Sequence, residues 1–103
     1  MTDLSEMMRD LFTDLSFNTA DGMIREHQDI AIMVDTLQGR EEDLVDVVIT
    51  VLPFEISSSE LEGTVVSLTP IGAKCADRIE ATLDIRGQVK FADLPNGKYI
   101  VSI

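Results

Sequence analysis

The chain ends with GQVKFADLPNGKYIVSI, residues 87–103, and this stretch decides the fold. Val89 and Phe91 alternate with polar residues, as in a strand that buries one face. Pro95 has a fixed φ angle and Gly97 permits a positive φ angle, so Pro-Asn-Gly predicts a turn. A final apolar run follows the turn. We therefore expect two short strands joined by this turn, with the last strand lying in a sheet.

Most of the chain before this stretch is also predicted to form strands. LVDVVITVLPF at 44–54 is β-branched and nearly continuous, which is typical of a strand buried on both faces, and Pro53 ends it. LEGTVVSLTP at 61–70 and AKCADRIEATLDI at 73–85 predict two more strands. One side of the strand at 73–85 would carry Cys75, Ile79, Ala81, Leu83 and Ile85. Short strands with regular turn signals predict a mainly β fold, a small antiparallel β-sandwich.

Residues 61–103 resemble the carboxypeptidase regulatory-like domain. Leu61-Glu62-Gly63-Thr64-Val65-Val66 stands where that family has its glycine-containing first strand, and residues 87–99 stand where it has an F-x-F-x-x-L-P-x-G-x-Y block. The resemblance implies a seven-stranded sandwich of the transthyretin or Ig-like type. The hydroxyl of Tyr99 is expected to bond backbone near the corner, as in tyrosine corners of sandwiches. The chain departs from the family at 84–87, where Ile85 lies inside a turn of the D-x-x-G type.

The N-terminal segment carries an apolar stripe at helical spacing. Its members recur at i, i+3, i+4, i+7, i+8 and i+11 and are Leu4, Met7, Met8, Leu11, Phe12 and Leu15. Thr2 can cap the helix, and Asp3 and Glu6 lie in its first turn, where the helix dipole favours acids. We therefore predict an amphipathic helix over 3–16. The stripe either packs on the rest of the domain or lies in a groove of a partner, since methionine-rich faces suit adaptable recognition.

Residues 19–38 fit either of two elements. A helix would end before Gly39 and would turn inward Ile24, Ala31, Val34 and Leu37. A strand would explain the alternation from Ile24 to Val34 and the β-branched run IAIMV at 30–34. We favour the strand because the charges are poorly placed on the helix. The chain is then divided into an acidic N-terminal segment over 1–40 and a sandwich domain over 41–103.

The charge of the chain restricts the class of partner. The formal net charge is -11, and residues 1–46 carry twelve acids and three arginines, whereas residues 47–103 carry seven acids and five basic residues. Such a balance argues against nucleic acid and against an anionic membrane surface, because both require clustered Lys and Arg. It favours a protein partner with a basic surface. The single Cys75 and the lack of a basic, apolar leader predict a cytoplasmic protein.

No motif predicts catalysis, a metal or a cofactor. His27 is the only histidine and is distant in sequence from Cys75, so zinc ligands are lacking. Glu41-Glu42-Asp43 lacks the alternating spacing and the glycine of a calcium loop. Ser57-Ser58-Ser59 has no nucleophile-elbow context and is interpreted as a turn. We expect no catalytic residue, no cofactor and no metal, and we regard Cys75 as a structural thiol despite the nearby Lys74 and Arg78.

These observations favour a non-enzymatic regulatory or adaptor module. It would dock on a larger protein through the acidic, methionine-rich N-terminal helix, with Leu4, Met7, Met8, Leu11, Phe12 and Leu15 as the contacts. The alternative is an inhibitor of the anti-sigma or antitoxin type that masks a basic surface, because similar bacterial sandwiches accompany acidic segments in some anti-sigma factors. The zinc-binding His and paired Cys of the usual anti-sigma domain are lacking here. A homo-oligomer formed through open sheet edges is a third hypothesis.

Overall fold

Two antiparallel sheets of four strands each form the molecule. The computed structural model describes residues 15–27, 30–54, 57–71 and 78–103. The strands are β1 (Leu15–Asn18), β2 (Met23–His27), β3 (Ile30–Gln38), β4 (Leu44–Pro53), β5 (Val65–Pro70), β6 (Ile79–Thr82), β7 (Gln88–Pro95) and β8 (Lys98–Ser102), with a short 3-10 helix at Ser58–Leu61. Sheet I has the order β1-β8-β5-β6 and sheet II the order β2-β3-β4-β7. The mainly β, antiparallel architecture expected from the sequence is confirmed, and the transthyretin-type assignment stays a prediction.

Aliphatic side chains fill the space between the two sheets. Every second residue of each long strand points inward, because successive side chains of a strand alternate between its faces. The fully buried ones include Ile32, Ile49, Val47, Val51, Val66, Leu68 and Val101. Most of them are β-branched, and such side chains pack well on a pleated surface. The core therefore needs few aromatic residues.

The two strands of the closing stretch lie in different sheets. β7 pairs with β4 in sheet II, whereas β8 pairs with β1 and β5 in sheet I. The expected strands and turn are confirmed, but the strands do not form a hairpin. The turn at 95–97 instead carries the chain from one sheet to the other. Thr19 holds it, since the Gly97 amide donates to Thr19 Oγ1 at 3.0 Å and the Thr19 amide donates to the Gly97 carbonyl at 2.9 Å.

The predicted N-terminal helix is not supported. Residues 3–14 lie outside the described residues, and the last two positions assigned to it, Leu15 and Ser16, begin β1. Leu15 is paired with Val101, and its side chain packs against the core. A strand that adds to the edge of sheet I satisfies the backbone of β8.

The strand interpretation of residues 19–38 is confirmed, although two strands are present instead of one. β2 and β3 pair antiparallel with each other, and β3 then pairs along its whole length with β4. Strands that precede the expected boundary at residue 40 therefore belong to both sheets: β1 lies in sheet I, and β2 and β3 lie in sheet II.

The strand predicted over 73–85 ends earlier than its sequence suggests. Among the described residues 78–85, Ile79–Thr82 are strand, while Leu83 is buried and Ile85 is 60% exposed, so the single apolar side expected from Ile79 to Ile85 is wrong at its end. The reason is a turn that begins at Asp84. Its carbonyl accepts the Gly87 amide at 2.9 Å, and its carboxylate accepts the Arg86 amide at 2.8 Å.

Candidate interaction surface

Strand β4 carries apolar side chains on both faces, with Asp46 and Thr50 among them on the outer face, and the sandwich covers the inner face. Its inward residues are Val45, Val47, Ile49 and Val51, all buried. Val48 and Leu52 point the other way, and Leu52 is 39% exposed. The nearly continuous apolar run led us to expect a strand buried on both faces. That expectation is corrected here, because the described residues build two layers and sheet II is one of the outer ones.

The neighbouring strands extend this outward apolar surface. In β3, Ile32 and Val34 point into the core, so Met33 and Leu37 lie on the outer side, and Leu37 is 52% exposed. In β2, Ile24 is paired with Met33 and is 68% exposed. We call the larger apolar side chains on the outer side of sheet II the apolar face, and its members are Ile24, Met33, Leu37, Val48 and Leu52.

The register of the strands brings Ile24, Met33 and Leu52 together but separates Leu37 from them. Asp35 lies between Met33 and Leu37 on β3, and Asp46 lies beside Leu37 on β4. Ile24 lies beside Met33, and the small Ala31 lies beside Leu52 on the adjoining strand. Neighbouring strands are about 4.8 Å apart, so the three strands span roughly 10 Å. Leu37 lies six positions from Ala31 along β3, which at about 3.3 Å per residue is roughly 20 Å. The result is a strip with the footprint of a short helix or an extended peptide.

The outer face of sheet I has a different composition. Its strands present hydroxyl, amide and charged side chains outward, including Ser16, Asn18, Ser67, Thr69, Glu80, Thr82 and Lys98. Ile100 and Val65 are its apolar members, and Val65 is 49% exposed. A solvated sheet face normally has such a polar composition. The apolar face of sheet II is therefore distinctive among the surfaces of the described residues.

Carboxylates lie beside the apolar face and within it. Asp35 is paired with Val48, and Glu26 is paired with Ala31 on the strip. Neither carboxylate has an ion pair within the described ranges. Most of the charge on this side of sheet II is thus negative and available to a cation from outside.

Asp46 is the exception, because its charge is used within the sheet. It accepts the Asp93 amide at 3.1 Å and lies 3.4 Å from Lys90 Nζ. The hydrogen bond from the Asp93 backbone, with a smaller contribution from Lys90, holds the pKa of the Asp46 carboxyl below its ordinary value. This bond lies at a bulge, where Asp93 has a φ angle of 58° and the pairing of β4 with β7 shifts register. Asp46 therefore fixes the bulge.

The residues predicted as partner contacts are mostly outside the described part of the chain. Leu4, Met7, Met8, Leu11 and Phe12 lie outside it, and Leu15 packs on the core from β1. Ile24, Leu37 and Leu52 were not among the contacts predicted from the sequence. The signal that could have found them is the apolar character of both faces of β3 and β4, since a two-layer fold leaves one of these faces uncovered.

The positions considered for chemistry form no catalytic or metal site in the described residues. No group of three or more His, Cys, Asp or Glu there could hold a metal ion. Ser57 caps the 3-10 helix, because its Oγ accepts the Ser59 amide at 3.3 Å. The carbonyl of Asp43 accepts the Asn96 amide at 3.3 Å. Cys75 and the side chain of His27 lie outside the described residues.

Comparisons with protein-family models, with curated proteins and with solved structures found no match to this chain. The resemblance of residues 61–103 to the carboxypeptidase regulatory-like domain therefore stays a prediction. Within the described ranges, no helix has the length and apolar character that crossing a membrane requires.

Proposed function

We propose that this chain is a non-enzymatic regulatory or adaptor module that binds a larger protein through the apolar face of sheet II. The observation that carries the proposal is the exposure of Ile24, Leu37 and Leu52 on the outer side of one sheet. Several exposed apolar side chains on one surface, with polar residues around them, are typical of a protein interaction site. The polar outer face of sheet I is the internal comparison, since it belongs to the same sandwich.

The energy of covering this face is large enough to matter. Fully burying one Leu or Ile side chain contributes roughly 1.5–3 kcal/mol. Three such side chains that are now 39–68% exposed would therefore contribute a few kcal/mol together. That gain is comparable with the binding energy of a few hot-spot residues in protein interfaces. The face is thus sufficient for a specific, moderate association.

The N-terminal stripe is a second contact in this proposal. Its predicted members Met7, Met8 and Leu11 would bind the same partner beside the sheet, as amphipathic helices do in grooves.

An inhibitor that masks a basic surface is the second candidate function. The net charge of -11 favours it, as do Glu26 and Asp35, which have no ion pair with any of the described residues. Salt would weaken that association much more than an apolar one, because it screens exposed charges. The salt dependence of binding therefore separates the two functions.

Site-specific photo-cross-linking tests the proposed function. A photoreactive benzoylphenylalanine replaces Leu52 on the apolar face or, as the matched control, Val65 on sheet I. We expect a discrete covalent adduct with one other protein in the source cells from position 52 and none from position 65. The adduct should disappear when Ile24→Lys is added. Equal adducts from both positions, or none from position 52, would refute the proposal, and a probe at Met8 tests the N-terminal contact in the same way.

A further inference from the structure

We propose that the apolar face of sheet II binds an amphipathic helix of the partner, with Lys or Arg residues along the flanks of that helix. This inference rests on the proposed function and names the chemistry of the occupant. The dimensions of the strip support it, as do two carboxylates that form no ion pair in the part of the chain that the structure describes.

The shape of the face suits a helix. A helix with its side chains is about 10 Å wide, and about 13 residues span 20 Å, so three to four turns would cover the strip from Leu52 to Leu37. Helices commonly cover the apolar face of a sheet and supply the third layer of a fold. The small Ala31 is buried between Glu26 and Leu52 in the register, so the larger side chains around it form the surface that a helix would contact.

The acidic residues on the face favour a helix that carries basic residues beside its apolar side. Glu26 and Asp35 lie on the outer side of β2 and β3 without an ion pair in the described residues. Asp35 lies between Met33 and Leu37 on β3, so a Lys or Arg at the border of the apolar side of the helix would reach it. A second basic residue would reach Glu26 while the apolar side of the helix covers Met33. Complementary charge at the rim of an interface mainly increases the rate of encounter and rejects wrong partners.

The same charges disfavour the two occupants that the chain itself could supply. A second copy would bring its own Glu26 and Asp35 against those of the first, and each copy has a net charge of -11. Residues 3–14 contain four acids, Asp3, Glu6, Asp10 and Asp14, against a single Arg9. Like charges brought together across an interface are unfavourable. A basic helix of another protein is therefore the occupant that the face favours.

Titration with a designed peptide tests this inference. The probe is a helix-forming peptide of about 14 residues with Leu at one face and Lys elsewhere, and its partner probe has Glu in place of every Lys. Calorimetry with the full chain should show that the Lys peptide binds at least about tenfold more tightly than the Glu peptide. Tight binding of the Glu peptide would overturn the charge assignment.

Matched variants test whether the Lys peptide is attracted only by the overall negative charge of the protein. Leu52→Lys and Val65→Lys add the same charge to exposed apolar positions on opposite sheets, and Asp35→Lys and Glu62→Lys reverse one exposed acid each. We expect Leu52→Lys and Asp35→Lys to weaken the binding of the Lys peptide by about tenfold. Their controls should change its affinity by less than about twofold. Equal effects within each pair would overturn the inference.

The remaining occupants give distinct results. If Leu11→Asp tightened the binding of the peptide, residues 1–14 would be the occupant of the apolar face. If light scattering showed a dimer that Leu52→Lys dissociates, the occupant would be a second copy of the chain. Either result would overturn the inference. A cross-link from position 52 without binding of either peptide would overturn the helix assignment and leave the proposed function standing. The absence of both the cross-link and peptide binding would refute the proposed function as well.

Discussion

Tyr99 stabilises the turn through which the chain passes from sheet II to sheet I. Its hydroxyl donates to the Pro95 carbonyl at 2.6 Å, four residues upstream across the turn. Its ring is buried and stacks on Phe17 of β1, with the ring centroids 6.0 Å apart. The sequence predicts this bond because a tyrosine just after a turn of this kind begins a strand, and the structure confirms it. One side chain thus joins the turn, β8 and β1.

We expect Tyr99→Phe to destabilise the protein by about 1 kcal/mol, because the Pro95 carbonyl loses its partner while the ring still packs. Urea unfolding followed by circular dichroism measures the change. Phe17→Leu is the matched control, since it removes the stacked ring and keeps the hydroxyl bond. A Tyr99→Phe variant as stable as the wild type would show that water replaces the hydroxyl bond without loss.

Asp84 provides a pH-dependent contribution to the turn that leads into β7. The hydrogen bond from the Gln88 amide, assisted by the Arg86 amide and charge, holds the pKa of the Asp84 carboxyl below its ordinary value of 3.8, while desolvation acts in the opposite direction. A carboxyl whose pKa is lower in the folded state stabilises that state above its unfolded pKa. This stabilisation is lost as the pH falls through the folded pKa.

We therefore expect Asp84→Asn to be less stable than the wild type near about pH 7, because the amide keeps an oxygen acceptor but lacks the charge. The difference between the two proteins should close as the pH is lowered to about 2. Urea unfolding at several pH values measures both curves. Parallel curves for variant and wild type would show that Asp84 does not contribute to the acid dependence.

At the scale of single elements, the connection from β1 to β2 depends on Gly22. It has a φ angle of 68°, and its amide donates to the Asn18 carbonyl at 3.1 Å. A Cβ atom at this position would lie 2.6 Å from the Val34 carbonyl oxygen of β3. Gly63 has a similar φ angle of 87°, but a Cβ atom there would meet nothing within 4 Å. A comparison of substitutions at the two glycines therefore distinguishes the cost of backbone strain from the cost of a steric clash.

We expect Gly63→Ala to cost about 1 kcal/mol, which is the strain of a left-handed alanine. Gly22→Ala should cost roughly 1–3 kcal/mol more, because the methyl group pushes against backbone that the β2–β3 pairing holds in place. Denaturant unfolding of the two variants gives the comparison. Equal losses would mean that β2 can move away from β3 without penalty.

The elements differ in how far the sequence predicts them. Alternation and turn residues predict β7 and β8, and the nearly continuous β-branched run at 44–54 predicts β4. The same signals do not distinguish a hairpin from a crossover at 95–97, since turn chemistry is local and the sheet that each strand joins depends on distant pairing with β1, β4 and β5. The helix and strand interpretations of 19–38 compete because IAIMV is apolar on every side.

At the scale of the whole molecule, the candidate site arises because the composition of two strands does not match their position in the sandwich. β3 and β4 have apolar side chains on both faces, as buried strands do, but sheet II is an outer layer of the described sandwich. Leu52 and Met33 are apolar in the sequence, but no local pattern tells which of two alternate sides meets the core. That choice depends on the register with β2 and β7, which is known only from the fold.

The final prediction concerns folding as one unit. β3 lies before residue 40 and β4 after it, yet Ile32 and Ile49 both lie fully buried on the inner side of sheet II. Ile32→Val and Ile49→Val should each lower the stability by about 0.5–1.5 kcal/mol in a single unfolding transition. Far-ultraviolet dichroism and the fluorescence of Tyr99, the only tyrosine in a chain without tryptophan, should follow the same curve. If Ile32→Val instead produced an early transition that leaves the Tyr99 signal unchanged, residues 41–103 would fold independently of the strands before them.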